Sequence, residues 1–580
     1  MLNNENNTYT KNIVSSWPIP NYWDGIAIAL VLAIIITMGW VSKAMFGQFH
    51  PGENITIHLS PWYLPYYALR TVIRMFSALA CSLLFTFIFG AWAAKSKRAE
   101  KVIIPMIDIL QSLPVLGYLT IFATVFVAIF QGSMMGPECA AIFAIFTAQV
   151  WNITLSFYQS LKTIPSDLHE AADMFRLSAW QRFWKIEVPF ATPGLLWNAM
   201  MSMSGSWVFL VASESISVVH GLSLPGIGSY IAQAIEQADI HAILYAILMM
   251  LVVIALYDQL FFRPLIAWAN KFKFEPVSEY EPESWLIDLF QQATFMQFIR
   301  EKIGDFLGKI INAKIFRRKT NRKPLKKRSI KRDKLWQIAS IALLAFVTII
   351  ATYHVIQFIF AQVHPHEVLH VLYLGLITAL RVTILICLSS LIWVPIGVTI
   401  GLNPRASQWV QPIIQFFAAF PANLLFPVVV LAIIKWHLNV EIWTSPLMIM
   451  GTQWYILFNV IAGTNALPKN LHHAVNTLNV KGWLWWKKFM LPGIFPYYIT
   501  GAITAAGGAW NISIVAEYVS WGKTTLMATG LGSYITTMYN INDFPRLTLG
   551  IIIMCFYVLV INRFMWRPLY GMAERRFQIQ

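Results

Sequence analysis

A chain of 580 residues that is 57% hydrophobic and only 12% charged has too little polar surface to face water on all sides, and its natural solvent is the bilayer. Continuous apolar runs such as Ile26–Met38 exclude the short alternating strands of a β-barrel and call for a helical bundle, because about 20 apolar residues carry a helix across a hydrocarbon core of roughly 30 Å. The formal net charge of +16 does not indicate nucleic acid: much of the excess sits between Lys314 and Lys334, directly before an apolar run, as in a cytoplasmic segment that faces anionic lipid.

The polar stretch Met1–Asp24 lacks the basic start and small-residue cleavage site of a signal peptide, so the first apolar run reads as an uncleaved span. Six spans follow in order, at 26–46, 67–94, 104–130, 138–161, 192–213 and 240–263. After an acidic and then basic stretch come six more, at 335–362, 371–401, 411–434, 441–464, 495–516 and 546–566. The second set repeats the first. Arg74, Gly90, Pro105 and Pro114 recur 307 residues later as Arg381, Gly397, Pro412 and Pro421. Pro189, Pro193, Gly205, Trp207 and Glu214 recur 303 later as Pro492, Pro496, Gly508, Trp510 and Glu517. Gly228-Ser229-Tyr230-Ile231 and Arg263-Pro264-Leu265 recur 304 later. A register held through three blocks is a tandem duplication. It divides the chain into an N-terminal segment 1–24, a first transmembrane domain 25–275, a linker 276–334 and a second transmembrane domain 335–580.

Loop charge sets the expected orientation. The segments after the second spans (Lys95, Lys97, Arg98, Lys101; Arg405) and after the fourth spans (Lys162, Arg176, Arg182, Lys185; Lys469, Lys481, Lys487, Lys488) are basic, whereas Phe46–Pro65, Gln131–Glu138 and Ser213–His241 hold no Lys or Arg. Basic loops stay inside, which puts both termini in the cytoplasm and relates the halves by an axis along the membrane normal. The four cysteines, Cys81, Cys139, Cys387 and Cys555, stand singly and read as packing residues, with no metal implied.

One cytoplasmic loop in each half is long and amphipathic. In the first half Ser166 is placed to cap a short helix, Asp167 and Glu170 favour its first turn, and Leu168, Ala171, Ala172 and Phe175 share a face. The two alanines are expected to point away from the membrane. Glu170-Ala171-Ala172, followed by Ile186 and Pro189, resembles the EAA loop of ABC importer permeases, in which a coupling helix docks into a groove of a separate ATPase. The family's glycine is replaced by Arg176. The second copy reads His473-Ala474-Val475, with Asn479 at the glycine position and Pro492 kept. The left-handed turn that glycine favours suits Asn479 better than Arg176.

The resemblance covers nearly all of both halves, and within the superfamily the chain is most similar to nitrate, sulfonate, taurine and bicarbonate permeases. It implies an all-α polytopic fold of two tandem six-helix type I importer domains with about 12 spans in a bacterial inner membrane. It also implies a small-anion substrate, ABC ATPase partners as two copies or a homodimer, and a periplasmic binding protein. ATP and magnesium belong to the partner, and this chain is expected to bind no cofactor and catalyse nothing.

For the translocation pathway the candidates are Arg74 and Arg381, Pro114 and Pro421 as kinks, Trp207 and Trp510 as a constriction beside Gly205 and Gly508, and Glu214 and Glu517. The arginines attract an anion, pair with the two glutamates or snorkel outward. Polar residues inside the spans, among them Asn198, Gln415 and Asn465, serve either the pathway or helix packing. Gly522-Lys523-Thr524-Thr525 ends like a phosphate-binding loop but has Glu517 where that loop needs glycine. A secondary transporter of the major facilitator type also has 6+6 repeats, but its basic signature after the second span is absent from Lys95–Lys101 and Leu402–Gln408.

Overall fold

The structure, a computed structural model, describes residues 21–47, 56–111, 115–219, 224–272, 284–313 and 342–577, apart from 343–345 and 347. The basic run Lys314–Lys334 and Pro114 lie outside the described residues. Apolar segments become helices because inside a bilayer each backbone N–H and C=O must find its partner within the chain.

In the first half, α1 (Tyr22–Met45) and α2 (Leu64–Phe85) are followed by α3 (Lys97–Leu110), α4 (Val115–Ile129) and α5 (Met135–Lys162). A short α6 (Ser166–Met174) then leads through α7 (Val188–Val219) and α8 (Ile227–Glu236) to α9 (Ile240–Tyr257). Two linker helices, α10 (Trp285–Gln292) and α11 (Thr294–Ile311), come next. The second half repeats the order with α12 (Pro365–Gly401), α13 (Pro404–Ala419), α14 (Phe426–Lys435), α15 (Gln453–Asn465), the short α16 (Lys469–Thr477), α17 (Leu491–Ala516), α18 (Leu531–Asn540) and α19 (Phe544–Ile561). Among the described residues eight helices are long and apolar enough to cross a membrane, and two bent pairs bring the number to ten. The start of the span expected at 335–362 lies outside the described residues; its later part is an apolar helix, Thr348–Phe360.

Each half has its own core. In the first, α2, α5, α7 and α9 pack around Phe157, Met200, Met203, Trp207 and Tyr230. In the second, α12, α15, α17 and α19 pack around Ile456, Val460, Trp510 and Met554. The halves meet through their third and fifth spans: α4 packs on α17, and α13 packs on α7. Pro421 ends α13, and the pair that it separates is bent by 73°, as a residue without an N–H requires of a helix.

Wide π turns recur at matching places, Phe183–Glu187 with Trp486–Met490 and Asp258–Phe262 with Asn562–Trp566. Each holds an i→i+5 turn within its helix and so turns the face that follows. The second half also has a feature that hydropathy did not foretell, an antiparallel hairpin of β1 (Tyr518–Trp521) and β2 (Thr524–Met527). Gly522 and Lys523 form its two-residue turn, with Gly522 at φ +56°. The would-be phosphate loop is this turn.

The linker is tied to the start of α1. The Asp24 carboxylate accepts from the Thr294 hydroxyl at 3.0 Å and from the Phe295 N–H at 2.9 Å. Gln181, just after α6, donates to Asn312 at 3.1 Å. The start of α1, the linker and the loop that holds α6 therefore share one end of the bundle.

Candidate functional site

The loops around α6 and α16 have one shape. Pro165 and Pro468 precede the helices in extended backbone, and Ser166, expected as a cap, is instead the first helical residue. Arg176 and Asn479 both take the left-handed conformation, at φ 49° and 52°. Backbone bonds close each turn, from Leu177 N–H to Ala172 C=O at 3.0 Å and from Val480 N–H to Val475 C=O at 3.2 Å. That geometry is the usual helix stop. An arginine there forgoes roughly 1 kcal/mol relative to glycine, so the turn survives its substitution.

The exposed face is not the expected one. Ala172 is fully buried and Leu168 packs on the first core, so the small residues let α6 lie close against its own bundle rather than against a partner. Ala171 is half-buried, while Glu170 is exposed, as are Met174 and Phe175 at 83% and 78%. In α16 Val475 packs on the second core, and His473, Ala474 and Leu478 are exposed. Ile186 and Pro189 are half-buried where the loop joins α7, and Pro492 holds the matching place. In the first half ion pairs stiffen the loop: Arg182 with Asp173, and Lys95 with Glu187 at 2.7 Å.

Helix α5 has 28 residues and so spans about 42 Å at 1.5 Å per residue. The α6 loop leaves one end, and at the other lies a buried charge cluster. Arg74 is fully buried and gives two bonds to Glu138, at 2.5 and 2.7 Å, and one to Glu214, at 2.6 Å. Arg70 adds a bond to Glu138 at 2.5 Å. Thr71 donates to Glu214 at 2.9 Å and accepts from the Ile227 N–H at 3.1 Å. The Gly228 N–H reaches Glu214 at 2.8 Å. The cluster thus binds α2, α5, α7 and α8 into one unit.

The second half builds the same frame. Arg381 bonds Glu517 at 2.6 Å and Glu441 at 2.9 Å, Thr378 bonds Glu517 at 2.9 Å, and the Gly532 N–H completes it at 2.7 Å. The Gly-x-Gly pairs have a steric cause: a Cβ on Gly226 or Gly530 would fall 2.4 or 2.3 Å from the nearest carboxylate atom, and one on Gly228 or Gly532 would fall 2.2 or 2.3 Å from a carbonyl oxygen. Of the three readings of the arginines, pairing with Glu214 and Glu517 is the one realised. Glu138, Glu441, Thr71 and Thr378 escaped the sequence reading, although their displacements, 303 and 307, carry the repeat's signature.

Between the halves, Asn511 accepts from the Val115 N–H at 2.7 Å and Asn423 donates to the Val208 C=O at 3.2 Å. A Cβ on Gly205 would lie 2.5 Å from the Tyr455 hydroxyl, so glycine there lets the two halves touch. Trp207 and Trp510, expected to face an opening, are instead core residues, 0% and 3% exposed; Trp207 packs edge-on against Tyr257 at 5.7 Å. Asn198 bonds Ser156 at 2.9 Å and Asn465 bonds Ser407 at 3.0 Å, while Gln415 touches the Met200 sulfur. These amides join helices.

Residues 86–262 and 393–566 each match the family model described as binding-protein-dependent transport system inner membrane component. The two matches begin 307 residues apart, the displacement of the second spans. The chain is 25% identical over 177 residues to the bicarbonate transport system permease protein of Synechococcus elongatus, covering 30% of this chain and 60% of that one. It is 24% identical over 211 residues to the glycine betaine transport system permease protein of Bacillus subtilis, covering 36% and 69%. With the trimethylamine N-oxide transport system permease protein of Pelagibacter ubique it is 25% identical over 240 residues, covering 41% and 29%.

Proposed function

This chain belongs to the family of binding-protein-dependent transport system inner membrane components, and from that premise we propose that it is the complete membrane pathway of an ATP-driven importer, both permease halves in one polypeptide. The observation that carries the proposal is the duplicated unit of short helix, left-handed turn and π turn, present in both halves at corresponding ends of the bundle. A separate ATPase docks on α6 and α16, on the cytoplasmic side of a bacterial inner membrane. Movement of α6 reaches α5 directly and α7 through the stapled loop. Helices α5 and α7 pack along their length, and at the far end the Arg74 cluster holds them as one body. A push at one face thus becomes a rotation of the whole half, and the α4–α17 and α13–α7 contacts are where the path opens.

The substrate we assign is a small anion, by similarity to the bicarbonate permease. The arginines do not carry that assignment, because they are held by carboxylates. A binding protein on the far side would deliver it. Glycine betaine is the rival, by similarity to the permease of Bacillus subtilis. In vesicles holding the chain with its ATPase, Glu170→Lys together with Phe175→Ala should reduce uptake about tenfold or more, as expected for loss of one buried apolar anchor and a reversed charge. Ala172 is left alone because it is buried. Undiminished uptake would end the docking assignment. ATPase activity that rises with glycine betaine and ignores bicarbonate and nitrate would end the anion assignment alone.

A further inference from the structure

We infer that the linker helix α11 lies along the membrane surface, in the headgroup layer of the leaflet at the α6 end of the bundle, with its apolar face among acyl chains and its basic edges on anionic lipid phosphates. The inference does not depend on what α6 binds. Within Thr294–Ile311, Met296, Ile299, Ile303, Phe306 and Ile310 recur at three- and four-residue steps and so share one face. Arg300 stands at one edge of that face and Lys302 and Lys309 at the other, while Glu301 and Asp305 point to the opposite side. All five charged residues are exposed.

The position of the helix decides what its apolar face meets. The Asp24 carboxylate holds the Phe295 N–H at 2.9 Å, so α11 begins beside the first turn of α1, where the apolar run of that span opens at Ile26. Met296 packs on a small apolar cluster made by Ala27 of α1 with Leu286 and Leu289 of α10. Ile303 and Ile310 follow seven and fourteen residues later on the same line, yet Ile303 and Phe306 are more than half exposed. The stripe that starts against a span therefore continues uncovered. Span α1 is turned outward as well, with Ile35 and Ile36 more than half exposed, and the medium around an exposed apolar span is lipid. At the other end Asn312 accepts from Gln181 at 3.1 Å, so the helix runs along the end of the bundle rather than away from it.

The charges choose lipid over a protein groove. A groove that covered the apolar face would also desolvate the three basic residues along its edges, whereas a headgroup layer lets long basic side chains reach from the acyl boundary to phosphate. Lys302 already stands over the Phe298 ring at 5.2 Å. The two acids, on the side turned to water, are kept away from the negative surface.

The test uses the full chain with a diazirine-bearing phenylalanine at Phe306 or, separately, at Glu301, irradiated in its own host's membranes and read by mass spectrometry. Phospholipid adducts at 306 and water adducts at 301 are the expected result. A protein adduct at 306 overturns the inference and gives the face to a partner or to another part of this chain; water adducts at both positions overturn it too. As a second arm, the purified chain in vesicles of phosphatidylcholine and phosphatidylglycerol carries Lys302→Glu with Lys309→Glu, which should lower the lipid adduct at 306 several-fold. An unchanged yield overturns the seating of the basic edge on headgroups.

Discussion

The two buried charge clusters are copies with different surroundings. In the first half Arg70 joins Arg74, both carboxylates are sealed, and each has an arginine at 2.6 Å or less. In the second half Ile377 stands where Arg70 would be, and Glu441 is 46% exposed and also bonded by the Thr529 N–H and hydroxyl. The frame of Thr, Arg, two Glu and two Gly is thus what this fold needs to join four helices. How tightly it is sealed is free to differ.

The largest effect should come from removing the central cation. Arg74→Met leaves Glu214 buried without its ion-pair partner and should cost roughly 3–5 kcal/mol, the usual price of breaking a buried pair. Arg381→Met should cost about 1–2 kcal/mol, since Glu441 can be hydrated and Glu517 keeps its hydroxyl and backbone donors. Thermal unfolding of the full chain in detergent measures both, and equal losses would show that the seal does not matter. Gly228→Ala and Gly532→Ala test the shared frame instead. Each pushes a methyl onto a carbonyl oxygen, and both should lose about 1–3 kcal/mol by the same measurement; a loss in only one half would break the equivalence.

The hairpin separates the halves further. Its Gly522 N–H donates to the Ile235 C=O of the first half at 2.8 Å, and a Cβ on Gly522 would lie 3.4 Å from that of Ala238. Cysteines at both positions should therefore form a disulfide on mild oxidation, since bridged Cβ atoms sit about 3.8 Å apart. A gel shift after cleavage of the linker would report it, and if these segments separate during transport, uptake should stop until a reductant is added.

The smallest effect is electrostatic. At the end of the bundle that carries α6, Glu100 takes hydrogen bonds from Tyr158 at 2.6 Å and Lys162 at 2.9 Å, and these hold its carboxyl below the ordinary glutamate range. The proton is then bound more weakly in the folded state, so this contribution is present above the ordinary value and is lost as pH falls through the folded one. The matching contact in the second half is neutral, Asn465 with Ser407. Glu100→Gln should flatten the acid limb of the melting temperature slightly, whereas Ser407→Ala should leave its slope as it is.

Much of this was legible in the sequence. The spans, the duplication and the two amphipathic loops follow from hydropathy, displacement and motif. So does the pairing of Arg74 with Glu214, as one of three readings. The orientation of Ala172 was not legible: periodicity shows which residues of α6 share a face, and only its placement beside the core shows that this face turns inward. Trp207 was misplaced for a related reason. An aromatic flanked by small residues packs a core or lines an opening with the same spacing, and the helices around it decide which.

By itself the sequence determined that this chain lives in a bilayer as two tandem helical domains with matched amphipathic loops, because burying unpaired backbone in lipid is forbidden and a duplication preserves displacement. Only the tertiary structure decided that Glu138 and Glu441 complete the clusters, that a hairpin crosses to the other half, and which face α6 and α16 each expose. Those outcomes depend on groups 60 or more residues apart meeting within hydrogen-bond range, and local pattern holds no record of such distances.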